Sequence, residues 1–443
     1  MEDRRLRCSR RKFLASAAGA ITLTGAAAQA ADTPAAPPPV SRTRPAKLST
    51  AGRKPLAVVC SVYRPLSHAY HIAGRFILGY ALGGELHVPK HYVRSMYVDQ
   101  TPADDLSREV GREHNVRVTR SVADALLEDG KLAVEGVLLI VEHGNYPRND
   151  KGQILYPRFE LMEQIVECFR KAGKSVPVFN DKHLSYTYAR GKRMLDWGRE
   201  LKFPMMAGSS LPVVWRAPEL ELPLDVPLED GLVAGYGPIE VYGFHGLEAL
   251  QVMMERRKGG ECGVKTVTCL TGKDVWKAGD AGRWSWDLLE AALARSETVN
   301  PGDVRKNVGS MSVHRMQPTP ALAFLVEYRD GARGTVLLLN GHVFDTTFAG
   351  KVKGEARAPS CLFRLPSPPG ARFFDAQVLA LEKFFETGKP TYPAERTLLT
   401  TGVLAAAMES HRRRGARIET PELDVRYAAP ADSGFLRGTP SGA

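Results

Sequence analysis

The chain has 443 residues, of which 44% are hydrophobic and 25% charged, the balance of a water-soluble globular protein of about two domains and not of a low-complexity or fibrous one. Its formal net charge is +11, but the first 30 residues hold six Lys/Arg against two Asp/Glu, so the remainder carries about +7. The basic residues are scattered apart from Arg256-Arg257-Lys258 and Arg412-Arg413-Arg414, each expected at a helix end where cations suit the dipole, and without aromatic interleaving they exclude a nucleic-acid partner.

The N-terminus opens with Arg4, Arg5 and Arg7, then Ser9-Arg10-Arg11-Lys12-Phe13-Leu14 and a weakly apolar run to Ala28. Ala28-Gln29-Ala30 follows as a small-residue cleavage site. This is the layout of an export signal, and the arginine pair followed by Phe-Leu points to the twin-arginine route, which carries folded proteins with any cofactor already bound. The run is shorter than the roughly 20 apolar residues of a membrane span. Residues 1–30 are therefore expected to be removed by the export machinery's pathway, leaving a periplasmic or secreted protein with no membrane span. Residues 31–53, rich in Pro and Ala, read as a disordered spacer.

From Lys54 the chain alternates short apolar runs with helical periodicity. Pro55–Cys60 is a strand buried on both faces, His68 to Leu82 a helix, Val93–Val98 a strand ending at Asp99. Leu106 to His114 reads as a helix, Val116–Val118 as a strand, and Ser121 caps a helix to Leu127. Gly136–Val141 is a strand, Phe159 to Ala172 a helix stopped by Gly173, and Ser175–Phe179 a strand leading to Asn180-Asp181-Lys182-His183. Such alternation predicts a Rossmann-like, doubly wound parallel sheet over residues 54–190. Residues 191–423 predict an α+β domain with an open, mostly antiparallel sheet for substrate binding and oligomerisation, and 424–443 a tail. Its strands are Gly231–Val241, Val264–Leu270, Ala321–Tyr328 and Gly334–Leu339; its helices run from about Gly246 to Arg257, Trp286 to Ala294, Asp375 to Glu386 and Ala394 to Arg414.

Cys60, Cys168, Cys262, Cys269 and Cys361 follow the signal without CxxC or other metal spacing, and are expected as small buried hydrophobes, with a Cys262–Cys269 disulfide as the other reading. No H-E-x-x-H spacing links His143, His183, His245 and His342, so no metal is expected. Ligands of a parallel sheet sit outside the carboxyl ends of its strands. That rule selects Tyr63, Arg64, Ser67, His68, Asp99, Glu142, His143 and the segment Asn180–His183. The first of these loops lacks the G-x-G-x-x-G through which a backbone approaches pyrophosphate. Lys182, beside Asp181, is placed to exchange a proton with a substrate hydroxyl. His245, expected at a helix start with Glu248 one turn on, makes a second acid/base candidate.

The order of these parts, with Ser67-His68-Ala69 after the first strand, Asp99 after the second, Val178-Phe-Asn-Asp-Lys-His-Leu-Ser185, Phe203-Pro-Met-Met-Ala-Gly-Ser-Ser-Leu-Pro212 and a later His245, resembles the Gfo/Idh/MocA oxidoreductases over roughly Lys54 to Leu423, and within them a secreted bacterial branch. The resemblance implies oxidation of a sugar, polyol or related carbohydrate by tightly bound NAD or NADP, and often a homo-dimer or tetramer. It assigns Lys182 and His245 as catalytic, with Asp181-Lys182-His183 in place of the family's Glu-Lys-Pro. It makes Tyr63, Arg64, Ser67, His68, Asp99, Glu142 and His143 cofactor-binding, and Asp181, His183 and Glu248 substrate-binding. Two departures stand out. The glycine fingerprint is missing, and Val241 replaces the family's Asp, with Glu240 the adjacent substitute. They keep open a member without redox turnover, acting as a carbohydrate lyase, hydrolase or binding protein.

Overall fold

The computed structural model describes residues 46–310, 318–367 and 371–438. The twin-arginine segment and most of the spacer lie outside the described residues. Six strands, β1 (Lys54–Cys60), β2 (His91–Val98), β3 (Arg117–Thr119), β4 (Gly136–Ile140), β5 (Val178–Asp181) and β6 (Met205–Gly208), form a sheet in the order β6-β5-β4-β1-β2-β3, every pair parallel. Leu56 to Cys60 and Val137 to Ile140 are wholly buried, as the uninterrupted apolar runs require of strands covered on both faces. The covering helices are α1 (His68–Leu78), α2 (Ser107–His114), α3 (Val122–Leu126), α4 (Arg158–Ala172) and α5 (Tyr188–Glu200).

Helix α1 stops four residues before the expected Leu82. Gly79 takes φ 71, and a Cβ there would lie 2.7 Å from the carbonyl of His87 on a hairpin, Tyr80–Leu82 with Glu85–His87, that folds back on the helix end. Arg53, assigned to the spacer from sequence, is fastened to the body: its guanidinium donates to the carbonyls of Phe76 (2.7 Å) and Pro89 (2.8 Å).

The second sheet has eight strands: β7 (Trp215–Ala217), β8 (Leu228–Gly235), β9 (Val264–Thr271), β10 (Leu322–Tyr328), β11 (Arg333–Leu338), β12 (Thr346–Val352), β13 (Ser360–Arg364) and β14 (Ile418–Glu419). Their order is β7-β13-β12-β8-β11-β10-β9-β14, antiparallel except for the pair β8 and β11. The period-2 alternation of strands buries both faces separately. Val233, Phe324, Val336 and Phe348 join the main core with α6 (Val241–Met254) and α11 (Ala394–Arg412). Leu232, Ala234, Ala323, Leu325, Leu337 and Ala349 point the other way, into a second core with Val275 of α7 (Lys273–Asp280) and Leu288, Leu289 and Ala292 of α8 (Trp286–Leu293). Trp284 plugs this layer, fully buried, with its indole N–H on the carbonyl of Val275 at 2.9 Å. The sheet is open and mostly antiparallel as expected, with helices packed on each of its faces. A short α9 (Val304–Asn307) and the long α10 (Phe373–Thr387) complete the helices used below.

Arg256 and Arg257 are not solvated helix-end charges. Both are buried, 2% and 1% exposed, because α6 ends at Met254 and turns them inward. Arg256 donates to the carbonyls of Pro430 and Ala431, each at 2.9 Å, and Arg257 pairs with Glu261 (3.0 Å) and Asp330 (2.6 Å). The Arg256 contacts hold residues 424–438 against the body, where Val425 and Phe435 are buried and Leu436 N donates to Val213 O at 3.0 Å. The five cysteines among the described residues have free thiols, four of them buried and Cys262 partly so, with Arg257 on its sulfur at 3.2 Å.

Candidate active site

Strand β5 delivers Asp181 and then Lys182, which adopts φ 68, a left-handed conformation that a side chain other than glycine's resists. The turn is over-determined. Lys182 N donates to the carbonyl of Gly208 on β6 at 3.1 Å, while the Asn180 amide reaches the carbonyls of Asp181 (3.2 Å) and Lys182 (3.3 Å). Gly208 in turn has φ 124, and a Cβ there would stand 2.5 Å from Glu248 Oε2, so only glycine serves. The consequence is a buried lysine whose Nζ points along the end of the parallel sheet toward the second domain.

There it meets His245. Lys182 Nζ lies 2.6 Å from His245 Nε2 and donates to the carbonyl of Val241 at 3.2 Å. Helix α6 begins at Val241, expected as the last residue of a strand, and not near Gly246, so His245 stands one turn inside it; Phe244 N already bonds Glu240 O. Burial pushes the Lys182 ammonium below its ordinary range against the opposing pull of Glu142 and Asp181. Burial, and then the neighbouring Lys182, hold the His245 imidazole well below its usual value. Two nitrogens that both shed protons readily, in contact, are equipped to pass one proton between themselves and a bound hydroxyl.

The carboxylate beside this pair comes from β4 and not from α6. Glu142 Oε1 is 3.8 Å from Lys182 Nζ, and Glu142 is also ion-paired with the buried Arg158. Burial alone would raise the Glu142 carboxyl, but Lys182 and Arg158 outweigh it and hold it well below the usual carboxylate range. Glu240, the substitute expected from sequence, is occupied elsewhere: it accepts Ile154 N at 2.9 Å and sits 3.8 Å from Arg148. His183 is buried against Phe244 with Nε2 3.2 Å from Arg158 and lies behind the cavity.

A cavity of about 860 Å³ opens over these groups, between the carboxyl ends of the parallel strands and the second sheet. His68, Glu142, His143, Asp181, Lys182 and His245 line it, facing Tyr236, Tyr242, Phe344 and Phe374. His68 Nδ1 is 2.6 Å from Asp181 Oδ2 and its ring stands edge-on to His143 and Phe374. His143 is driven to about 4 by burial, next to His68.

The remaining sequence candidates lie apart from this cavity. Tyr63 is buried in the core; Arg64 pairs with Asp104 at 3.3 Å on the surface; Ser67 caps α1, accepting Tyr70 N at 3.2 Å. Asp99 is exposed at the end of β2 and accepts the hydroxyls of Tyr97 (3.1 Å) and Tyr146 (2.7 Å). Beside it Gln100 and the backbone of Asn145 exchange two hydrogen bonds, 2.8 and 3.1 Å. Since β1 lies between β4 and β2, this clasp passes over the tip of β1. Glu248 does not line the cavity. It accepts Ser209 N at 2.9 Å and Thr400 Oγ1 at 3.1 Å, fixing the segment that brings Ser209 and Ser210 to the wall, and burial raises its carboxyl to about 7. Arg158, Tyr236, Tyr242 and Gln377 were not legible as site residues: each belongs to an element whose packing, not its local pattern, aims it here.

No protein-family model and no curated protein matches the sequence. Among solved structures, the chain is similar to a probable dehydrogenase from Thermotoga maritima, at 13% identity, covering 83% of this chain and 99% of that one with a TM-score of 0.49. It is similar also to myo-inositol dehydrogenase from Lactobacillus casei in complex with NAD(H) and myo-inositol, at 10% identity over 88% and 99% of the two chains and a TM-score of 0.48. GenD2 from gentamicin A biosynthesis in complex with NAD is 14% identical over 85% and 99%, TM-score 0.49. Likeness at this level says nothing of chemistry, which the residues themselves must carry.

Proposed function

We propose that the protein oxidises or reduces a sugar, polyol or related carbohydrate with a nicotinamide dinucleotide held at the end of the parallel sheet, after export in the folded state to the periplasm or beyond. The observation that carries this reading is the Lys182–His245 contact of 2.6 Å at the strand ends, inside a cavity walled by aromatic rings. When bound, the nicotinamide accepts or donates hydride. The chain's own groups do the rest. Lys182 and His245 take the hydroxyl proton as a carbinol becomes a carbonyl and return it in the reverse direction. Glu142 balances the charge this leaves on Lys182, and Tyr236, Tyr242 and Phe374 exclude water.

The strand-end residues fit a dinucleotide in part. The exposed Asp99 carboxylate and the first-turn N–H groups of α1 stand on the carboxyl edge of the sheet, suited to ribose hydroxyls and pyrophosphate. The loop Ser61 to Ser67 has no glycine, and the Gln100–Asn145 clasp crosses the tip of β1, so a dinucleotide lying there opens that clasp. The clasp favours a second reading, proton transfer without hydride transfer, as in a carbohydrate lyase. Thermal denaturation separates the two. A dinucleotide that binds only the native state stabilises it by about 2.7 kcal/mol at roughly 100 times Kd. A rise in Tm with NAD(H) or NADP(H) is expected; no rise with any of the four forms leaves the lyase reading. Export is tested by Arg10-Arg11→Lys-Lys, expected to leave the precursor in the cytoplasm.

A further inference from the structure

Hydride transfer from a carbinol needs one base for the hydroxyl proton, and the Lys182–His245 pair supplies it. The cavity holds a second. His68 opens α1 after the loop that follows β1, and its Nδ1 lies 2.6 Å from Asp181 Oδ2. A carboxylate only accepts, so Nδ1 carries the hydrogen and, in the neutral ring, Nε2 carries the lone pair. The Asp181 side chain is 1% exposed, whereas His68 keeps 16% of its side chain open and lines the cavity. Its Nε2 has no hydrogen-bond partner among the described residues. Edge-on contacts with His143 and Phe374, at ring-centroid distances of 5.2 and 5.1 Å, fix the plane of the ring.

This is the arrangement of a positioned base, with one nitrogen tied to a buried carboxylate and the other free on a cavity wall. It is separate from the first pair. His68 follows β1 and Lys182 follows β5, with β4 between them in the sheet. Asp181 and Lys182 are successive residues, so the carboxylate that holds His68 adjoins the residue that carries the first proton site. Two proton-transfer groups on one cavity let a proton leave one substrate atom while another arrives at a neighbouring atom, which hydride transfer does not require.

We propose that His68, held by Asp181, is a catalytic base for a carbon-bound proton, and that with Lys182 and His245 it enolises a hydroxy-aldehyde or hydroxy-ketone. The C–H bond beside the carbonyl breaks, its proton forms an N–H bond at His68 Nε2, and its electron pair becomes the C=C bond of the enol. The carbonyl π pair moves onto oxygen, which takes a proton from the Lys182–His245 pair. Return of the protons restores the starting compound or its isomer. No electrons are gained or lost overall, so no dinucleotide takes part. The inference takes the hydroxylated substrate and the Lys182–His245 pair from the reading above and stands without its hydride step.

Deuterium exchange tests it. The full mature chain, without added dinucleotide, is incubated in heavy water with dihydroxyacetone, D-glyceraldehyde, D-fructose and D-glucose, and incorporation beside the carbonyl is followed by NMR. Exchange above the uncatalysed rate is expected in at least one of them, and in a hydroxymethyl group at only one of its paired hydrogens. His68→Gln should slow exchange about 100-fold or more. In His68→Ala, added imidazole should restore part of the loss, which a merely structural histidine would not allow. Asp181→Ala tests the positioning role: ring-nitrogen NMR should find the His68 hydrogen on Nδ1 in the unaltered chain and moved toward Nε2 in the variant. Exchange into none of the four compounds, exchange at paired hydrogens alike, or exchange unmoved by His68→Gln overturns the proposal. Exchange without turnover of any nicotinamide dinucleotide removes the oxidoreductase reading and leaves this one standing; dinucleotide turnover without exchange does the opposite.

Discussion

Lys182 Nζ and His245 Nε2 are 2.6 Å apart although 63 positions separate them in the chain, one residue ending a parallel strand and the other standing one turn inside a helix of the second domain. If this pair moves the substrate proton, Lys182→Met and His245→Gln should each reduce turnover by about 10²–10⁴-fold while the folded protein persists. A structural role would show the reverse pattern: a lower Tm, with activity per folded molecule unchanged.

Glu142 is shared between Lys182 and Arg158, both buried. Removing one member strands a charge, so Glu142→Gln and Arg158→Met should each cost about 3–5 kcal/mol by urea denaturation. The double variant should cost less than the sum, because the stranded charge is gone. Glu142 also raises the Lys182 ammonium, so in Glu142→Gln the basic limb of the kcat/KM profile should move to lower pH. Additive losses and an unmoved limb would rule out the shared carboxylate.

Glu248 carries a pH dependence of stability. Its folded value, about 7, lies above the ordinary 4.5 because burial disfavours the charge. A raised acid contributes its stability below the unfolded value and loses it as pH climbs through the folded one. The difference corresponds to about 3 kcal/mol lost between roughly pH 4.5 and 7. Glu248→Gln should flatten the Tm profile across that window, and an unchanged slope would place the titration elsewhere.

Trp284 seals the layer of α7 and α8 over the outer face of the second sheet. Trp284→Ala should cost about 3–5 kcal/mol. It should also loosen a face carrying Leu232, Leu325 and Leu337, detected as concentration-dependent association on size-exclusion chromatography.

Sequence alone determined the N-terminal layer well, because its signals are local. Strands buried on both faces must be continuously apolar, Ser121 caps the helix that follows it, and Gly173 ends α4 in a left-handed turn. It also brought Lys182 and His245 forward, since strand ends are where a parallel sheet exposes side chains. What it did not determine depends on contacts between distant segments. Helix α7 and the second core came from the packing of Trp284, the inward turn of Arg256 from contacts with a C-terminal segment, and that of Arg257 from Glu261 and Asp330. Glu142 rather than Glu240 stands by Lys182 because strand order, which sequence distance does not encode, sets β4 next to β5. Gln377 reaches the same site only because α10 packs where its amide meets the carbonyl of Gly208. Periodicity reports which face of an element is buried; which residues meet across that face is decided by tertiary packing.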